Sequence, residues 1–449
     1  MSYTFRGGVH VPEHKNTASL NIKKMTAPEK VWIPLSQHIG APCTPTVKVG
    51  DFVYKYQTIG TFEKGLGCPV HSSVSGKVVS MEEIRNPMGN VVTHIVIEND
   101  GEYTPFPDIK PYEKSFDEVN IEDLIEITKK AGISGMGGAT FPTHAKIQSA
   151  YGKIDRLIIN CAECEPYITA NHRLMLEYPD DIIGGVKILL KAFGLRDGDI
   201  AIEDNKPDAI KLFSEKTRES DIINVKVMKT KYPQGDERQL IYAITGRQIP
   251  SGKLPADVGC VVFNAETCAA IYRAFVKGTP LTSRIVTVDG DCVKEPCSVL
   301  CAIGTPIKDL VEFCGGFIKE AHAVVNGGPM MGAAQWDINA PVTKGTSAIL
   351  LFSKDAYPQF NENYNCIRCG RCVRSCQMGL MPNYLGLFAK ERNYELCEKY
   401  DVLSCVECGA CTYICPGNVP ITQLNRVAKA KIIEKRRKEA AKEAVKNDK

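Results

Sequence analysis

Eight of the 19 cysteines in this 449-residue chain stand in two tight runs near its C-terminus. Cys366, Cys369, Cys372 and Cys376 are spaced C-x2-C-x2-C-x3-C, and Cys405, Cys408, Cys411 and Cys415 repeat that spacing before Pro416. Three thiolates on one short loop can wrap three irons of a cubane, and in paired runs the fourth cysteine characteristically closes the other cluster. The spacing predicts two 4Fe–4S clusters. One would take Cys366, Cys369, Cys372 and Cys415; the other would take Cys405, Cys408, Cys411 and Cys376. A pair of zinc sites competes with this reading, but zinc usually takes paired ligands in separated knuckles. Such clusters pass single electrons, so electron transfer is the chemistry to expect first.

The elements that must hold these loops read as helical. NYLGLFAKERNYELCEKYDV (383–402) joins the two runs where a short hairpin would otherwise do. This resembles a helical dicluster ferredoxin domain rather than the compact β-containing ferredoxin. Gln377 stands where the bacterial ferredoxin run has proline. Cys397 lies off the motif and reads as a packed helix cysteine.

Composition bounds the rest. A formal charge of +3 and the lack of a basic stripe with interleaved aromatics give no sign of nucleic-acid binding. No apolar run reaches the roughly 18 residues of a membrane span, and the opening MSYTFRGGVHVPEHKN has no signal-peptide core. The expectation is a cytosolic chain, or one attached to a membrane only through partners. Nineteen cysteines in a long chain without a leader suit metal ligation in a reducing compartment better than disulfides.

An electron wire needs a donor. Strand-like runs RLIIN (156–160), DIAIED (199–204), INVKVMKT (223–230) and GCVVFNA (259–265) alternate with helical stretches at 182–194, 207–219 and 266–278. That alternation predicts a layered α/β domain. Ahead of it, GISGMGGATFPTHAKI (132–147) places Gly135, Gly137 and Gly138 before a lysine, Lys146. Open backbone N–H groups beside an ammonium make a phosphate cradle, although a glycine turn without ligand reads the same way and neither the dinucleotide nor the P-loop fingerprint is matched.

This segment resembles the flavin-binding loop of the NADH-oxidising flavoprotein subunit of respiratory complex I. INCAECEPY (159–167), YPQGDERQLI (232–241) and FNAETCA (263–269) resemble that family's later motifs, in the same order. The resemblance implies non-covalent FMN, with Gly135, Gly137, Gly138 and Lys146 on its phosphate and ribityl. Asn160, Glu163, Tyr232, Asn264 and Thr267 would line the remainder, and Phe141 would offer a stacking surface. Glu165 and Glu237 would be the catalytic carboxylates facing the nicotinamide of NADH. Met136 replaces the family's arginine, Ala162 its aspartate, Asp236 its first glutamate and Phe263 an asparagine.

Residues 31–83 alternate apolar and polar positions around glycine turns and resemble a barrel-sandwich hybrid of the biotinyl/lipoyl type. No Met-Lys-Met hairpin is present, so this module is expected to be structural or a docking surface. His10, His14, His38, His71 and His94 match no ligand spacing. Residues 283–317 read strand, turn, strand, helix and resemble a soluble-ligand-binding β-grasp domain; its Cys292, Cys297, Cys301 and Cys314 fit no cluster signature. NGGPMMG (326–332) is a glycine-rich turn whose role the residues do not reveal. Arg426 onward reads as a solvated charged helix.

The expected architecture is thus multidomain α/β. A barrel-sandwich hybrid (1–115) precedes a Rossmann-like FMN/NADH domain (116–280), a β-grasp domain (281–355), a helical dicluster ferredoxin domain (356–425) and a charged helical tail (426–449). That order, with the opening Gly-Gly-Val-His and Glu-His-Lys, resembles the RnfC family of Rnf electron-transport complexes. The resemblance implies a peripheral NADH:ferredoxin oxidoreductase component on the cytoplasmic side of the cell membrane. Its partners would be the ferredoxin-like B component, the membrane components A, D, E and G, and ferredoxin through the complex, which moves Na+ or H+. Two alternatives are a soluble flavin/iron–sulfur reductase of the cobalamin-reductase type and a cluster-only electron-transfer adaptor.

Overall fold

The computed structural model describes residues 2–86, 90–357 and 364–447. Residues 358–363, within the segment expected to carry the cysteine runs, lie outside the described residues, as do 448–449 at the end of the tail.

The alternation seen between 31 and 83 becomes two small antiparallel sheets. Lys30–Pro34 pairs with Val91–Asn99, which pairs with Gly76–Arg85. Thr58–Thr61 lies between Thr44–Pro45 and Val70–His71. Their inward positions, among them Val31, Ile33, Val53, Ile59, Val78, Ile95 and Ile97, form one sealed core. This is the period-2 logic of half-buried strands.

The α/β domain carries a four-stranded parallel sheet. In spatial order its strands are Ile223–Met228, Gly198–Glu203, Arg156–Cys161 and Cys260–Asn264. The second and third strands in sequence lie on one side of the first, and the fourth lies on the other. The order therefore reverses between Arg156–Cys161 and Cys260–Asn264. Helices Pro179–Phe193 and Ala265–Lys277 pack against each other in the same core as these strands. In open parallel sheets, ligands bind beyond the carboxyl ends of the strands at such a reversal.

A six-stranded mixed sheet follows, built on Ser283–Asp289, Cys297–Ala302, Ala323–Asn326, Ala333–Gln335 and Ala348–Phe352. Its edge strand, Lys23–Lys24, comes from the N-terminal segment. Cys292, Cys297, Cys301 and Cys314 are all buried in its core. One buried lysine ties three units together: Lys344 Nζ donates to the carbonyls of Pro69 and Gly132, each at 2.7 Å.

The C-terminal segment is helical. Arg371–Ser375, Pro382–Lys390, Tyr394–Lys399 and Ala410–Tyr413 precede one long helix, Ile421–Asn447. The tail differs here from a solvated helix: Ala428 and Ile432, four residues apart on one face, are buried with Leu385, Ala389, Cys397 and Val402. Its opening turns belong to the core, and residues 433–443 are exposed.

Candidate functional site

The strand reversal places Asn160 and Asn264 side by side at adjacent strand ends. Asn160 donates from Nδ2 to the Gly235 carbonyl at 2.8 Å, while its Oδ1 accepts from Ala162 N at 3.1 Å. Asn264 caps helix Ala265–Lys277 by accepting from Glu266 N at 2.9 Å, an N-cap role that its residue type favours. The glycine turn lies over this pair. A Cβ on Gly137 would come 2.7 Å from Asn264 Nδ2, so glycine is needed for the close approach.

Gly138 is different. Among the described residues nothing lies within 4 Å of a Cβ placed there, and its φ is outside the left-handed region. Gly135 has only Phe141 backbone atoms nearby, from 3.6 Å, and donates to the Phe141 carbonyl at 2.9 Å. The folded chain itself does not require glycine at 138. Helix Thr143–Ala150 begins beside the turn with no side chain capping its first turn. Free N–H groups at a helix start favour an anion.

Around this opening, Lys146 pairs with Glu237 at 3.3 Å and lies over the Phe263 ring at 5.7 Å. Thr267 Oγ1 accepts from Met136 N at 3.2 Å, which pins the turn from below. Phe141 is partly exposed at its rim. Gln234 is fully buried, and neither polar atom of its side chain has a partner. Open glycines, a lysine and an unpartnered buried amide suit a phosphate-bearing, polar-edged cofactor such as FMN.

Two of the expected flavin-lining residues point elsewhere. The Glu163 carboxylate accepts from Asn171 N (2.6 Å) and His172 N (3.1 Å), capping helix Ala170–Glu177. The Tyr232 side chain is only 1% exposed, and its O–H donates to the Cys408 carbonyl at 2.6 Å, inside the second cysteine loop. Glu165 joins the same junction. It lies 3.4 Å from the Tyr232 O–H, accepts from Met330 N at 3.1 Å, and has its pKa pushed up to about 7 by burial.

Met330 belongs to the glycine-rich turn NGGPMMG (326–332). A Cβ on Gly328 would collide with the Glu165 carboxylate, and one on Gly409 would come 2.8 Å from the Met330 carbonyl. This turn is therefore a clamp between the flavin side and the cysteine loops. The N-terminal segment seals the same junction. Gly8 N donates to Ser375 O at 2.8 Å, and Val9 exchanges backbone bonds with Tyr232. Lys15, half-buried, donates to the carbonyls of Glu163, Glu165 and Ile168, and desolvation of its ammonium lowers its pKa. The Glu-His-Lys signature contained this residue, but no local pattern indicates a cation that holds three carbonyls far along the chain.

Arg284 was also not foreseen. Fully buried, it pairs with Glu266 at 3.1 Å and donates to the Met136 carbonyl at 3.4 Å. A guanidinium from the neighbouring domain thus supports the turn in which Met136 replaces arginine.

The thiols group across the two runs. Cys376, Cys405, Cys408 and Cys411 line one cavity, walled by Leu380, Leu385 and Asn425. Asn425 Nδ2 lies 3.6 Å from Cys405 Sγ. Cys372 packs with Cys415, and the electrostatic neighbours of its thiol include Cys415 and Cys366. Cys366 and Cys369 are exposed. Among the described residues no three or more His, Cys, Asp or Glu side chains close on a single-ion position. Burial pushes the Cys408 and Cys411 thiols up to about 12. Thiolates there need positive charge beside them, which iron would supply. The donor set fits.

Among the described residues no helix is long and apolar enough to cross a membrane. Residues 3–102 match the RnfC barrel sandwich hybrid domain, 128–273 the Nuo51 FMN-binding domain and 285–334 the SLBB domain. The chain is 43% identical to the C-subunit of the Na(+)-translocating ferredoxin:NAD(+) oxidoreductase complex of Acetobacterium woodii, over 97% of this chain and 98% of that one. It is also 43% identical to the proton-translocating counterpart of Clostridium ljungdahlii, over 90% and 88%. The C-subunit of an ion-translocating oxidoreductase complex of Vibrio cholerae is 38% identical over 89% of this chain and 52% of its own length. Among solved structures, an NAD+-reducing NiFe-hydrogenase is similar over 72% of this chain and 64% of that one, at 17% identity and a TM-score of 0.49, too low to bear on the fold. Near-complete coverage at such identity settles the relationship: the chain belongs to the RnfC family.

Proposed function

We propose that this chain is the peripheral electron-input component of a membrane-bound Rnf complex, working between NADH and ferredoxin. The whole complex would couple that flow to Na+ or H+ movement. The chain would sit on the cytoplasmic face of the cell membrane, with the ferredoxin-like B component as its redox neighbour and components A, D, E and G in the membrane. One observation carries the reading: the segment whose Gly235 carbonyl accepts from Asn160 also bonds, through the Tyr232 hydroxyl, the backbone of the second cysteine loop.

FMN, held by Gly135, Gly137, Gly138 and Lys146 with Asn160, Asn264 and Thr267, would supply hydride acceptance and its division into single electrons. Two 4Fe–4S clusters, on the eight cysteines in the crossed arrangement, would supply one-electron relay. The chain's own residues do the positioning. The open turn admits phosphate, and Lys146 meets its charge while Glu237 holds the lysine in place. Phe141 offers an apolar ledge at the entrance, and the wall of Val9, Tyr232, Ala410 and Met330 keeps water from the junction. Glu165 Oε1 faces the Tyr232 hydroxyl, and this carboxyl can exchange a proton near neutral pH.

The test is anaerobic reconstitution with iron, sulfide and FMN, then NADH titration followed by visible absorbance and EPR. Flavin bleaching followed by reduced-cluster signals is the expected result. Clusters that assemble without flavin and stay oxidised under NADH would replace this reading with the cluster-only adaptor.

A further inference from the structure

The two cysteine loops differ in how they are covered. The second is sealed against the α/β domain: Tyr232 bonds Cys408, Ala410 is buried, and a Cβ on Gly409 would press on Met330. Its one acid, Glu407, is neutralised by Arg426 at 2.9 Å and Lys429 at 2.6 Å. The first loop is open. Cys366 and Cys369 are exposed, and Ile367 between them is 65% exposed, an apolar tip with nothing covering it among the described residues.

Charge marks this open loop. Between 364 and 376 the chain has three arginines, Arg368, Arg371 and Arg374, and no aspartate or glutamate. All three are exposed, and among the described residues none is paired with a carboxylate. Lys390 adds a fourth cation, lying over the Tyr364 ring at 4.6 Å. An exposed apolar centre within an unpaired cationic rim is built for a partner of opposite charge, since complementary potentials steer encounter and suppress wrong partners.

We propose that the face around Ile367, rimmed by Arg368, Arg371 and Arg374, is the docking surface for an acidic protein carrying its own one-electron centre near its surface. The proposal rests on the reading of the two runs as cluster loops, and it gives the wire a polarity, with its inner end at Cys408 and its outer end at Cys366 and Cys369. A lipid headgroup layer would also answer the charge, but it would bury the exposed thiols under insulation, so the redox protein is the occupant that matches both features. The exchange itself is one electron from the reduced centre of one partner to the oxidised centre of the other, with no bond or proton changed.

The experiment uses the full reconstituted chain and a small acidic ferredoxin as probe. Binding by titration calorimetry and electron exchange by anaerobic stopped flow are measured at low and high salt, for the unaltered chain and for Arg371→Glu with Arg374→Glu. Arg368 is spared in this variant because its backbone lies in the left-handed region, at φ 57°. The milder Arg371→Gln with Arg374→Gln, together with iron content and EPR, shows that the clusters are still held. The expected result is binding that weakens with salt and falls about tenfold or more on charge reversal, with an intermediate loss for the glutamine pair and flavin reduction by NADH unchanged. Equal binding and exchange in all forms overturns the surface. So does a variant that loses only flotation with vesicles of anionic phospholipid. Failure of the parent reading shows separately, as clusters that NADH never reduces even in the unaltered chain, while the binding arm still decides the surface.

Discussion

Two glycine-rich turns, GMGG at 135–138 and NGGPMMG at 326–332, look alike in sequence and do opposite things. At Gly328 and Gly332 a methyl group would strike Glu165 and the Gly328 carbonyl. Glycine there lets backbone approach a half-buried carboxylate. At Gly138 a methyl group would meet nothing within 4 Å among the described residues. Glycine at 138 leaves room beside the turn, whereas glycine at 328 and 332 removes room between parts the chain does contain. Composition cannot distinguish these cases, because both reduce to a missing Cβ.

The comparison breaks most visibly at Gly328. Gly328→Ala should cost about 3 kcal/mol, the upper range for overpacking a filled site, because neither Glu165 nor the turn can retreat without opening the junction. Thermal unfolding should show the loss, and limited proteolysis should show the cysteine segment released first. An alanine variant as stable as the parent would mean that the clamp is loose.

Glu165 tests the same clamp through pH. Burial lifts its carboxyl from the ordinary 4.5 to about 7, so the fold favours the protonated acid. That stabilising preference is fully present below about pH 4.5 and is lost as pH rises through 7. Glu165→Gln keeps the shape and an oxygen for Met330 N without titrating. Its stability should overtake the parent's by on the order of 1 kcal/mol per pH unit across that window. Parallel pH–stability curves for the two proteins would refute the assignment. A smaller effect is expected from Tyr232→Phe, which leaves the Cys408 carbonyl without its donor and should cost about 1 kcal/mol. Denaturant midpoints would measure it.

Much of this was legible beforehand, and the parts that were not share a cause. The strands expected at 156–160, 199–204, 223–230 and 259–265 occur at Arg156–Cys161, Gly198–Glu203, Ile223–Met228 and Cys260–Asn264, because buried parallel strands read as continuous apolar runs. Cysteine spacing and the glycine turn are local patterns too. What sequence withheld was long-range: Lys15 on carbonyls about 150 residues away, Arg284 under the Met136 turn, and Tyr232 aimed at a loop 176 residues distant. No periodicity encodes such contacts. The tail's buried face is hidden in the sequence for a related reason, since Ala428 and Ile432 stand among lysines and glutamates.

The sharpest form of the comparison is the substitution with the smallest effect on folding. Gly138→Val places a branched side chain where the described structure has nothing within 4 Å, at a backbone angle that side chains adopt. Stability without flavin should stay within about 0.5 kcal/mol of the parent, as for surface changes generally. FMN affinity should fall about tenfold or more, because the new methyls would occupy the space that the open turn keeps for a phosphate-bearing ligand. Fluorescence titration with FMN reads the second effect, and thermal unfolding of the apo chain reads the first. If both quantities stay unchanged, the turn at 135–138 is an empty glycine bend and the cradle lies elsewhere. If stability falls, Gly138 belongs to the same class as Gly328, and the contrast between the two turns collapses.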